Sequence, residues 1–382
     1  ANMNKVPRGL RIAILGSRVI PARYGGAETI VQELSTGLAQ KGFEVYVSCE
    51  SRHLKMRPFD VYNGVRLVYF PVIDAMRNIS EVILYDALSV FWATFRTDII
   101  YMQGYSSVLT LIIPKLFRKV IVVNVDGLES KRRKFNRLLR FFYRCFEIMN
   151  TKIADYIVVD SQTIGAFYQR NYEVMPVYIP NGISEIEPLD PKVLERYGIE
   201  KGEYYLVIAR LIPDNNIDLI IEGFKRSNSA KKLVIVAPLS RNRYVERLLL
   251  HRDERILFLG GIYEPGLQRT LRHNCFAYIH GHEMGGTNPS LVEALSCGNV
   301  VLVLDVPFNR EVTEKSALYF KKDPNDLKEK IESLERGLEK VRLMKEAFAV
   351  YKRKYTIENA VNAFTEFIVH ICEGSRDIHL AS

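Results

Sequence analysis

The strongest constraint on the fold is the alternation of short apolar segments with longer segments of helical spacing. Residues 10–15, 99–102 and 120–125 are short and mostly apolar, as expected of strands that are buried on both faces. Residues 27–40 and 80–96 have helical spacing. Strands that alternate with helices in this way form parallel sheets covered by helices on both sides. The sequence therefore predicts an α/β protein built from doubly wound parallel sheets.

The alternation occurs twice, and residues 184–203, rich in Pro, Glu, Asp and Gly, separate the two series. A length of 382 residues, at roughly 150 residues per domain, also suggests two domains. We predict one Rossmann-like domain over 1–183 and a second over 184–355. The remaining expected strands are 45–48, 64–70, 157–159, 177–179, 204–209, 232–236, 256–259, 275–279 and 300–304, and the remaining expected helices are 216–225, 241–250, 328–351 and 356–372.

Composition limits the compartment and the class. Apolar residues make up 48% of the chain, which is ample for two cores. The five cysteines are scattered and show no C-x-x-C spacing, which favours a reducing compartment over disulfides or a zinc site. We find neither a secretory leader nor an apolar run of the roughly 18 residues that a spanning helix needs. These observations predict a cytoplasmic protein.

The net charge of +9 is concentrated in residues 131–150, which hold seven Lys or Arg against one Glu. Aromatic and aliphatic residues are interleaved with the basic ones. We expect a helix from about residue 130, with most of its apolar residues facing the core of the protein. The basic face then remains available for an anionic membrane. A solvated charged face is the alternative, and no nucleic-acid-binding motif is visible.

The most informative local pattern is a glycine-containing loop that leads into a short helix. Asn288, or the threonine before it, is a suitable N-cap, Pro289 fits the first turn and Gly298 fits the end. Free N–H groups at such a helix start bind phosphate. Glu293 on the same helix is placed to accept hydrogen bonds from the vicinal hydroxyls of a ribose. An ordinary capped helix with a surface Glu has the same pattern.

Three further positions follow predicted strands, where ligands bind in doubly wound folds. A Gly25-Gly26 pair follows the first strand, and backbone there can approach a phosphate or sugar closely; a loop tip is the alternative. Arg210 follows strand 204–209 and suits a diphosphate, although a lone Arg is more often a surface residue. Asp126 follows strand 120–125 and suits an acceptor hydroxyl, or else an Asp-Gly turn or helix cap.

The chain lacks the sequence motifs of several classes of functional site. The chain contains neither G-x-G-x-x-G nor G-x-x-x-x-G-K-[ST], which disfavours a dinucleotide oxidoreductase and a P-loop nucleotide hydrolase. It has no Asp-x-Asp and no H-E-x-x-H. His280 and His282 bracket a glycine, but two ligands are a weak metal site, and a sugar hydroxyl is the preferred partner. We expect no metal and no cofactor.

Taken together, these segments resemble the retaining glycosyltransferases of the GT-B fold, glycosyltransferase family four, and within them a rhamnosyltransferase-like subgroup. The likeness covers nearly the whole chain. It is carried by residues 20–29, 126–129, 160–161, 179–183 and 285–294.

The resemblance implies two Rossmann-like domains that face a cleft, the first binding the acceptor and the second the nucleotide-sugar donor, with the last helix packing back on the first domain. It implies metal-independent, retaining transfer of a sugar, for which dTDP-L-rhamnose is the best candidate donor, to a glycan or lipid-linked glycan. Such a reaction serves polysaccharide or cell-surface glycan biosynthesis, in the cytoplasm or peripherally at the inner face of the membrane.

The site residues are assigned by combining this resemblance with the patterns above. The expected catalytic residues are Asp126, Arg210 and Glu293. The expected donor-binding residues are Gly25, Gly26, Arg210, His282, Glu283, Gly285, Gly286, Thr287, Asn288, Pro289, Ser290 and Glu293, and the expected acceptor-binding residues are Tyr24, Glu28, Asp126, Glu129 and Arg132.

The chain departs from the family pattern twice. The family carries two Glu separated by seven residues, and the first of them is replaced here by Gly285, so that Glu283 or His282 is expected to stand in. The family often has a Lys shortly after the Arg, where this chain has Asn215-Asn216. Arg210 and the helix dipole then carry more of the diphosphate charge.

Two other classes of function remain as alternatives. One is a sugar-nucleotide epimerase or a glycogen-type phosphorylase with the same architecture. The other is a non-catalytic module that binds anions or nucleic acid through the basic segment.

Overall fold

The structure is a computed structural model and describes residues 9–22, 26–51, 60–72, 79–105, 107–125, 127–131, 136–337 and 339–374. The described chain divides into two compact units. The first contains the described residues up to Ser130, residues 137–183 and those from Thr356 onward. The second contains residues 184–355 together with Lys131 and Asn136. The main divisions lie after Ile183 and after Tyr355.

The first unit is built around a mostly parallel sheet in the order β3-β4-β2-β1-β5-β6-β7-β8, with only β3 antiparallel to its neighbour. Its strands are β1 (Arg11–Leu15), β2 (Glu44–Glu50), β3 (Val61–Tyr62), β4 (Val65–Phe70), β5 (Ile99–Gln103), β6 (Val120–Val125), β7 (Tyr156–Val159) and β8 (Val177–Tyr178). Its helices are α1 (Gly26–Gln40), α2 (Ile79–Arg96), α3 (Ile112–Leu116), α4 (Arg137–Ile153), α5 (Gln162–Tyr172) and α13 (Ile357–Gly374), with short 3-10 helices at Val108–Leu111 and Glu129–Lys131.

The second unit has a parallel sheet in the order β11-β10-β9-β12-β13-β14. Its strands are β9 (Tyr204–Ile208), β10 (Lys232–Val236), β11 (Ile256–Phe258), β12 (Ala277–His280), β13 (Val301–Leu304) and β14 (Ala317–Phe320). Its helices are α6 (Ile217–Arg226), α7 (Arg243–Leu249), α8 (Pro265–Asn274), α9 (Pro289–Ser296), α10 (Pro307–Thr313), α11 (Pro324–Glu335) and α12 (Lys340–Lys354), with 3-10 helices at Pro191–Tyr197 and Pro213–Asn215.

Both sheets contain a point where the direction of strand progression reverses. In the first unit it lies between β1 and β5, and in the second between β9 and β12. Loops on either side of such a point diverge and leave a crevice at the carboxyl ends of the strands, which is where open α/β sheets bind ligands. The doubly wound α/β architecture predicted from the sequence is confirmed.

The last helix belongs to the first unit. α13 packs on α1, where Gly37 leaves room for Val361: a Cβ on Gly37 would lie 2.3 Å from Val361 Cγ2. On its other turns, Phe364 and Phe367 make edge-to-face ring contacts with Tyr101 and Tyr156 at 5.1 and 5.5 Å. The helix thus completes the core of the unit that contains the amino-terminal strands.

Two helix predictions are wrong in extent. The expected single helix over 328–351 is two helices, α11 and α12, and the chain between them passes through Gly337 at φ +88°, which ends a right-handed helix. The strand β14 (Ala317–Phe320) was not anticipated. The helix expected from about residue 130 begins instead at Arg137, after the 3-10 helix Glu129–Lys131.

The orientation expected for the apolar residues of the basic helix is also wrong. Leu138, Phe141 and Phe142 on α4 are 66%, 61% and 47% exposed. The buried side chains of this helix are polar, Glu147 and Asn150. Glu147 accepts hydrogen bonds from the hydroxyls of Tyr105 (2.9 Å) and Tyr172 (2.8 Å), so its charge is compensated inside the unit. None of the described helices is long and apolar enough to cross a membrane.

Candidate functional site

The glycine-containing loop and helix predicted from the sequence lie at the strand reversal of the second unit. β12 runs parallel to β9, and the loop 281–288 connects β12 to α9. Asn288 is the N-cap, because its side chain accepts a hydrogen bond from Ser290 N at 3.0 Å. Pro289 occupies the first turn, and Gly298, at φ +65°, follows the end of the helix. The capped helix is therefore confirmed in its details.

The cap reduces the number of N–H groups that can face an anion. Pro289 has no N–H, and that of Ser290 is donated to the Asn288 side chain. Pro289 and Ser290 therefore offer no N–H group to an anion at the start of α9. The Ser290 hydroxyl is also occupied, lying 2.7 Å from Tyr278 Oη and 3.2 Å from Ile208 O. Ser290 thus connects α9 to the ends of β9 and β12. This structural role was not expected when Ser290 was assigned to donor binding.

Glu293 is oriented by an arginine that the sequence analysis missed. Arg272, on α8, is 3% exposed and forms an ion pair with the Glu293 carboxylate, which is itself 27% exposed. Arg272 Nη2 also donates to Ser290 Oγ at 3.0 Å, and Nη1 donates to Gln268 Oε1 at 3.3 Å. The buried guanidinium of Arg272 therefore holds both Ser290, at the start of α9, and the Glu293 carboxylate on the same helix. Its spacing from Glu293 in the sequence gave no signal of this contact.

The loop after β9 contacts the loop after β12. Arg210 is exposed at the end of β9, and its carbonyl accepts hydrogen bonds from Ile212 N (2.9 Å) and Asn215 Nδ2 (2.8 Å). Asn216, in the left-handed conformation at φ +52°, donates to Gly281 O at 2.9 Å. The asparagines in the place of the family's Lys thus bind backbone and fix the loop that presents Arg210.

Gly281 is required by this contact between loops. A Cβ at this position would lie 2.5 Å from Asn215 O and 2.9 Å from Ile220 Cδ1. We expect Gly281→Ala to lower the free energy of unfolding by roughly 1–3 kcal/mol, because backbone must move to admit the methyl group. Urea unfolding measures the change. Gly374→Ala is the matched control, since a Cβ there meets nothing within 4 Å. Equal stability of the two variants would contradict the prediction.

Glu283 and His282, the expected substitutes for the missing first Glu, have different surroundings. The Glu283 carboxylate accepts a hydrogen bond from Lys322 Nζ at 2.6 Å, a cation that follows β14. The His282 ring stacks on that of His280, with 4.1 Å between centroids. His280 is buried, and burial keeps its pKa well below the usual histidine value, so it is neutral. His280 is a core residue, whereas His282 and Glu283 are partly exposed.

The backbone conformation of the loop explains why residue 285 is a glycine. Gly285 adopts φ +147°, a conformation that side-chain-bearing residues rarely take, and nothing lies within 4 Å of where its Cβ would be. The loop therefore needs glycine for its path rather than for packing. Among the described residues, no group of three or more His, Cys, Asp or Glu side chains is arranged to hold a metal ion.

Of the residues assigned to the acceptor, Tyr24, Asp126 and Arg132 lie outside the described residues, as does Gly25, which was assigned to the donor. Gly26 begins α1, and Glu28 lies in its first turn. The N–H of Glu129 donates to Tyr105 Oη at 2.9 Å, and Tyr105 in turn donates to the buried Glu147. This chain of hydrogen bonds fixes the segment that follows β6.

A group of carboxylates around Arg18 in the first unit was not anticipated beyond Glu28. Burial raises the pKa of Glu28 to about 7, with Arg18 opposing the shift and Glu50 adding to it. Burial also raises the pKa of Asp86 to about 6, although Ser107 donates a hydrogen bond to its carboxylate. Arg18 Nε lies 3.7 Å from Glu50 Oε1. One arginine thus faces three carboxylates.

These raised pKa values predict a pH dependence of stability. Since the pKa of Asp86 is higher in the folded state, the folded chain binds more protons than the unfolded chain between about pH 4 and pH 6, and stability falls as the pH rises through this window. Asp86→Asn removes that loss. We expect it to raise the free energy of unfolding by roughly 1–3 kcal/mol at about pH 7.5 and to change it little at about pH 4. Urea unfolding at both pH values measures the difference, and an effect independent of pH would contradict it.

The comparisons with known proteins divide the chain at the same place. Residues 191–349 match the family described as glycosyl transferases group 1. Residues 10–183 match a family described as a domain of unknown function, DUF1972. The group 1 match lies within the second unit, and the match to DUF1972 lies almost entirely within the first. No curated protein matches the chain.

Solved structures with the same fold cover nearly the whole chain. HepE of Anabaena, in complex with UDP, has a TM-score of 0.74 at 16% identity, over 94% of this chain and 100% of that one. Sucrose-phosphate synthase from Thermosynechococcus elongatus has 0.80 at 15% identity, over 96% and 100%. A glycosyltransferase from Rickettsia africae has 0.72 at 13%, over 96% and 99%. These likenesses establish the fold, and with the group 1 match they support a glycosyltransferase of the GT-B type.

Proposed function

We propose that this protein transfers a sugar from a nucleoside diphosphate sugar to a hydroxyl of a glycan or lipid-linked glycan, with retention of configuration and without a metal or cofactor. The observation that carries the proposal is the Asn288-capped helix at the reversal of the second sheet, with Glu293 held beside it by the buried Arg272. The group 1 match over the same residues supports it.

Each proposed donor contact has a chemical reason. The partly exposed Glu293 carboxylate accepts hydrogen bonds from ribose hydroxyls. Arg210, exposed at the end of β9, binds diphosphate oxygens, assisted by the N–H group of Asn288. Charge develops on the diphosphate as the sugar leaves, so fixed positive groups there stabilise the transition state more than the ground state. Glu283 and His282 would contact the sugar from the loop before the helix.

Two observations bear on the identity of the donor nucleotide and sugar, and they favour different donors. HepE is solved with UDP, with UDP and glucose, and with UDP-glucose. The resemblance to rhamnosyltransferases instead favours L-rhamnose, carried by dTDP. The two nucleotides differ in the ribose 2′-hydroxyl, which is one of the groups that Glu293 would bind. The ribose contact therefore favours a ribonucleotide carrier.

The acceptor is expected to bind the first unit. Five residues are assigned to the acceptor from the sequence. The structure describes Glu28 and Glu129, and Tyr24, Asp126 and Arg132 lie outside the described residues. The acceptor's hydroxyls suit the partly exposed Glu28 carboxylate, whereas Glu50 and Asp86 are buried. A product of this kind fits polysaccharide or cell-surface glycan assembly, and the scattered free cysteines fit a cytoplasmic location at the inner face of the membrane.

Thermal shift with a panel of nucleoside diphosphates and their sugars, first without metal and then with Mg²⁺, tests this function. A ligand that binds only the folded state raises the unfolding midpoint by mass action. We expect one nucleotide to raise it without metal, and the corresponding nucleotide sugar to be consumed only when an acceptor glycan is present. Consumption without an acceptor would indicate an epimerase or hydrolase instead. No shift with any nucleotide would overturn the proposal.

A further inference from the structure

The first unit exposes an unusual concentration of large apolar side chains. Thirteen of the twenty-three exposed large apolar side chains of the described residues lie between Ile83 and Ile148. They belong to α2, the 3-10 helix Val108–Leu111, α3 with the residue after it, and α4. Leu116 is 77% exposed, and Phe91 and Phe95 are more than half exposed. Monomeric soluble proteins rarely expose apolar side chains in such a concentration without a binding partner.

These elements are neighbours and form one surface. α2 contacts both α3 and the 3-10 helix, and α4 contacts the same 3-10 helix. The exposed rings of Phe91, Phe95 and Phe117 form a row with centroid distances of 5.2 and 4.9 Å. On α4, Phe141 and Phe142 are paired at 6.0 Å. We call this surface, from α2 to α4, the apolar face.

The charge that accompanies the apolar face is positive. On α4 every charged side chain except the buried Glu147 is basic: Arg137, Arg140, Arg144 and Lys152. Arg96 ends α2 and Arg118 follows the exposed Leu116 and Phe117, whereas Lys115 beside them is paired with Asp155. Long basic side chains beside apolar ones extend their charges toward an interface while their stems remain among apolar groups. The face thus combines apolar area with a basic border.

We propose that the apolar face binds the surface of an anionic lipid bilayer. A bilayer of this kind offers both an apolar boundary for the rings and leucines and negative headgroups for the arginines. A second copy of the chain would instead bring two positive borders together, which like-charge repulsion disfavours. Helices that bind in this way lie in the plane of the membrane interface and do not span it.

Vesicle flotation with the full chain tests the proposal. The protein is mixed with vesicles of phosphatidylcholine alone, or of phosphatidylcholine with phosphatidylglycerol, at low and at physiological ionic strength. We expect binding to the anionic vesicles that weakens with salt, since exposed charges are screened. The apolar variant combines Leu116→Ser, Leu138→Ser and Phe141→Ser, and we expect it to bind about tenfold or more weakly. No sugar nucleotide is present, so the result is independent of catalysis.

The matched control combines Met175→Ser, Leu250→Ser and Val341→Ser, which remove side chains of similar exposure (77%, 83% and 66%) elsewhere on the chain. We expect the control to bind vesicles like the unmodified protein. Absence of vesicle binding by the unmodified protein overturns the proposal, and so does an equal loss in both variants. Light scattering that shows a dimer converted to a monomer only by the apolar variant also overturns it, in favour of self-association. Circular dichroism confirms that both variants fold.

Discussion

Glu293→Ala is expected to abolish the rise in unfolding midpoint that a nucleoside diphosphate produces and to lower the rate of sugar transfer about 100-fold. The carboxylate is 27% exposed, so a ligand can reach it, and its ion pair with Arg272 fixes its direction. Two hydrogen bonds from ribose hydroxyls to a charged acceptor are worth roughly 1.5–3 kcal/mol each, which corresponds to at least 100-fold in affinity. Isothermal titration and an initial-rate assay measure the two effects.

The contact can be isolated by changing the ligand as well as the protein. A 2′-deoxy nucleotide lacks one of the two hydroxyls, so it is expected to bind the unmodified protein about tenfold more weakly than the ribonucleotide. In Glu293→Ala that preference should disappear, because the group that distinguishes the ligands is gone. If the variant keeps the preference, Glu293 is not the ribose acceptor, even if overall affinity falls.

The architecture was predictable because it depends on short-range patterns. Apolar runs such as 120–125 indicate buried strands, and the helical segments between them indicate the covering helices. Neither inference depends on how the strands are ordered in the sheet. The cap at Asn288 was predictable for the same reason, since the cap, the Pro and the terminal Gly all lie within one helix. The sequence analysis merged α11 and α12 into one helix because helical spacing continues through the single Gly337 between them.

The parts of the site that were not predictable depend on contacts between distant segments. Lys322 reaches Glu283 from the segment after β14, a strand that was not anticipated, and Tyr105 and Tyr172 donate hydrogen bonds to the buried Glu147 from separate parts of the chain. The same burial of Glu147 explains why the orientation of α4 was predicted wrongly. Its spacing fits an amphipathic helix, but the side it buries is determined by polar partners that the helix sequence does not contain. Leu138 and Phe141 are left exposed as a result.

Arg272→Met is expected to reduce nucleotide binding at least tenfold, although the side chain is buried beneath α9. Arg272 is 3% exposed, and it is the group that holds both Glu293 and the Ser290 hydroxyl. With the guanidinium removed, Glu293 loses the partner that sets its direction, and the start of α9 loses a hydrogen bond to α8. Leaving a carboxylate and a hydroxyl without this donor is also expected to lower the free energy of unfolding by about 2–4 kcal/mol. Binding is measured by titration below the unfolding midpoint of the variant.

A positioning role must be separated from a simple loss of stability. Ile331→Ala, at a fully buried position on α11 in the same unit, is expected to destabilise the protein by a similar 2–4 kcal/mol without touching α9. That variant should bind the nucleotide with unchanged affinity while it is folded. Arg272→Lys keeps a positive charge but not the planar fork that serves two acceptors, so it should recover part of the affinity. Equal losses of affinity in Arg272→Met and Ile331→Ala would show that Arg272 only stabilises the fold, whereas a loss confined to Arg272→Met makes Glu293 and its buried partner one functional unit.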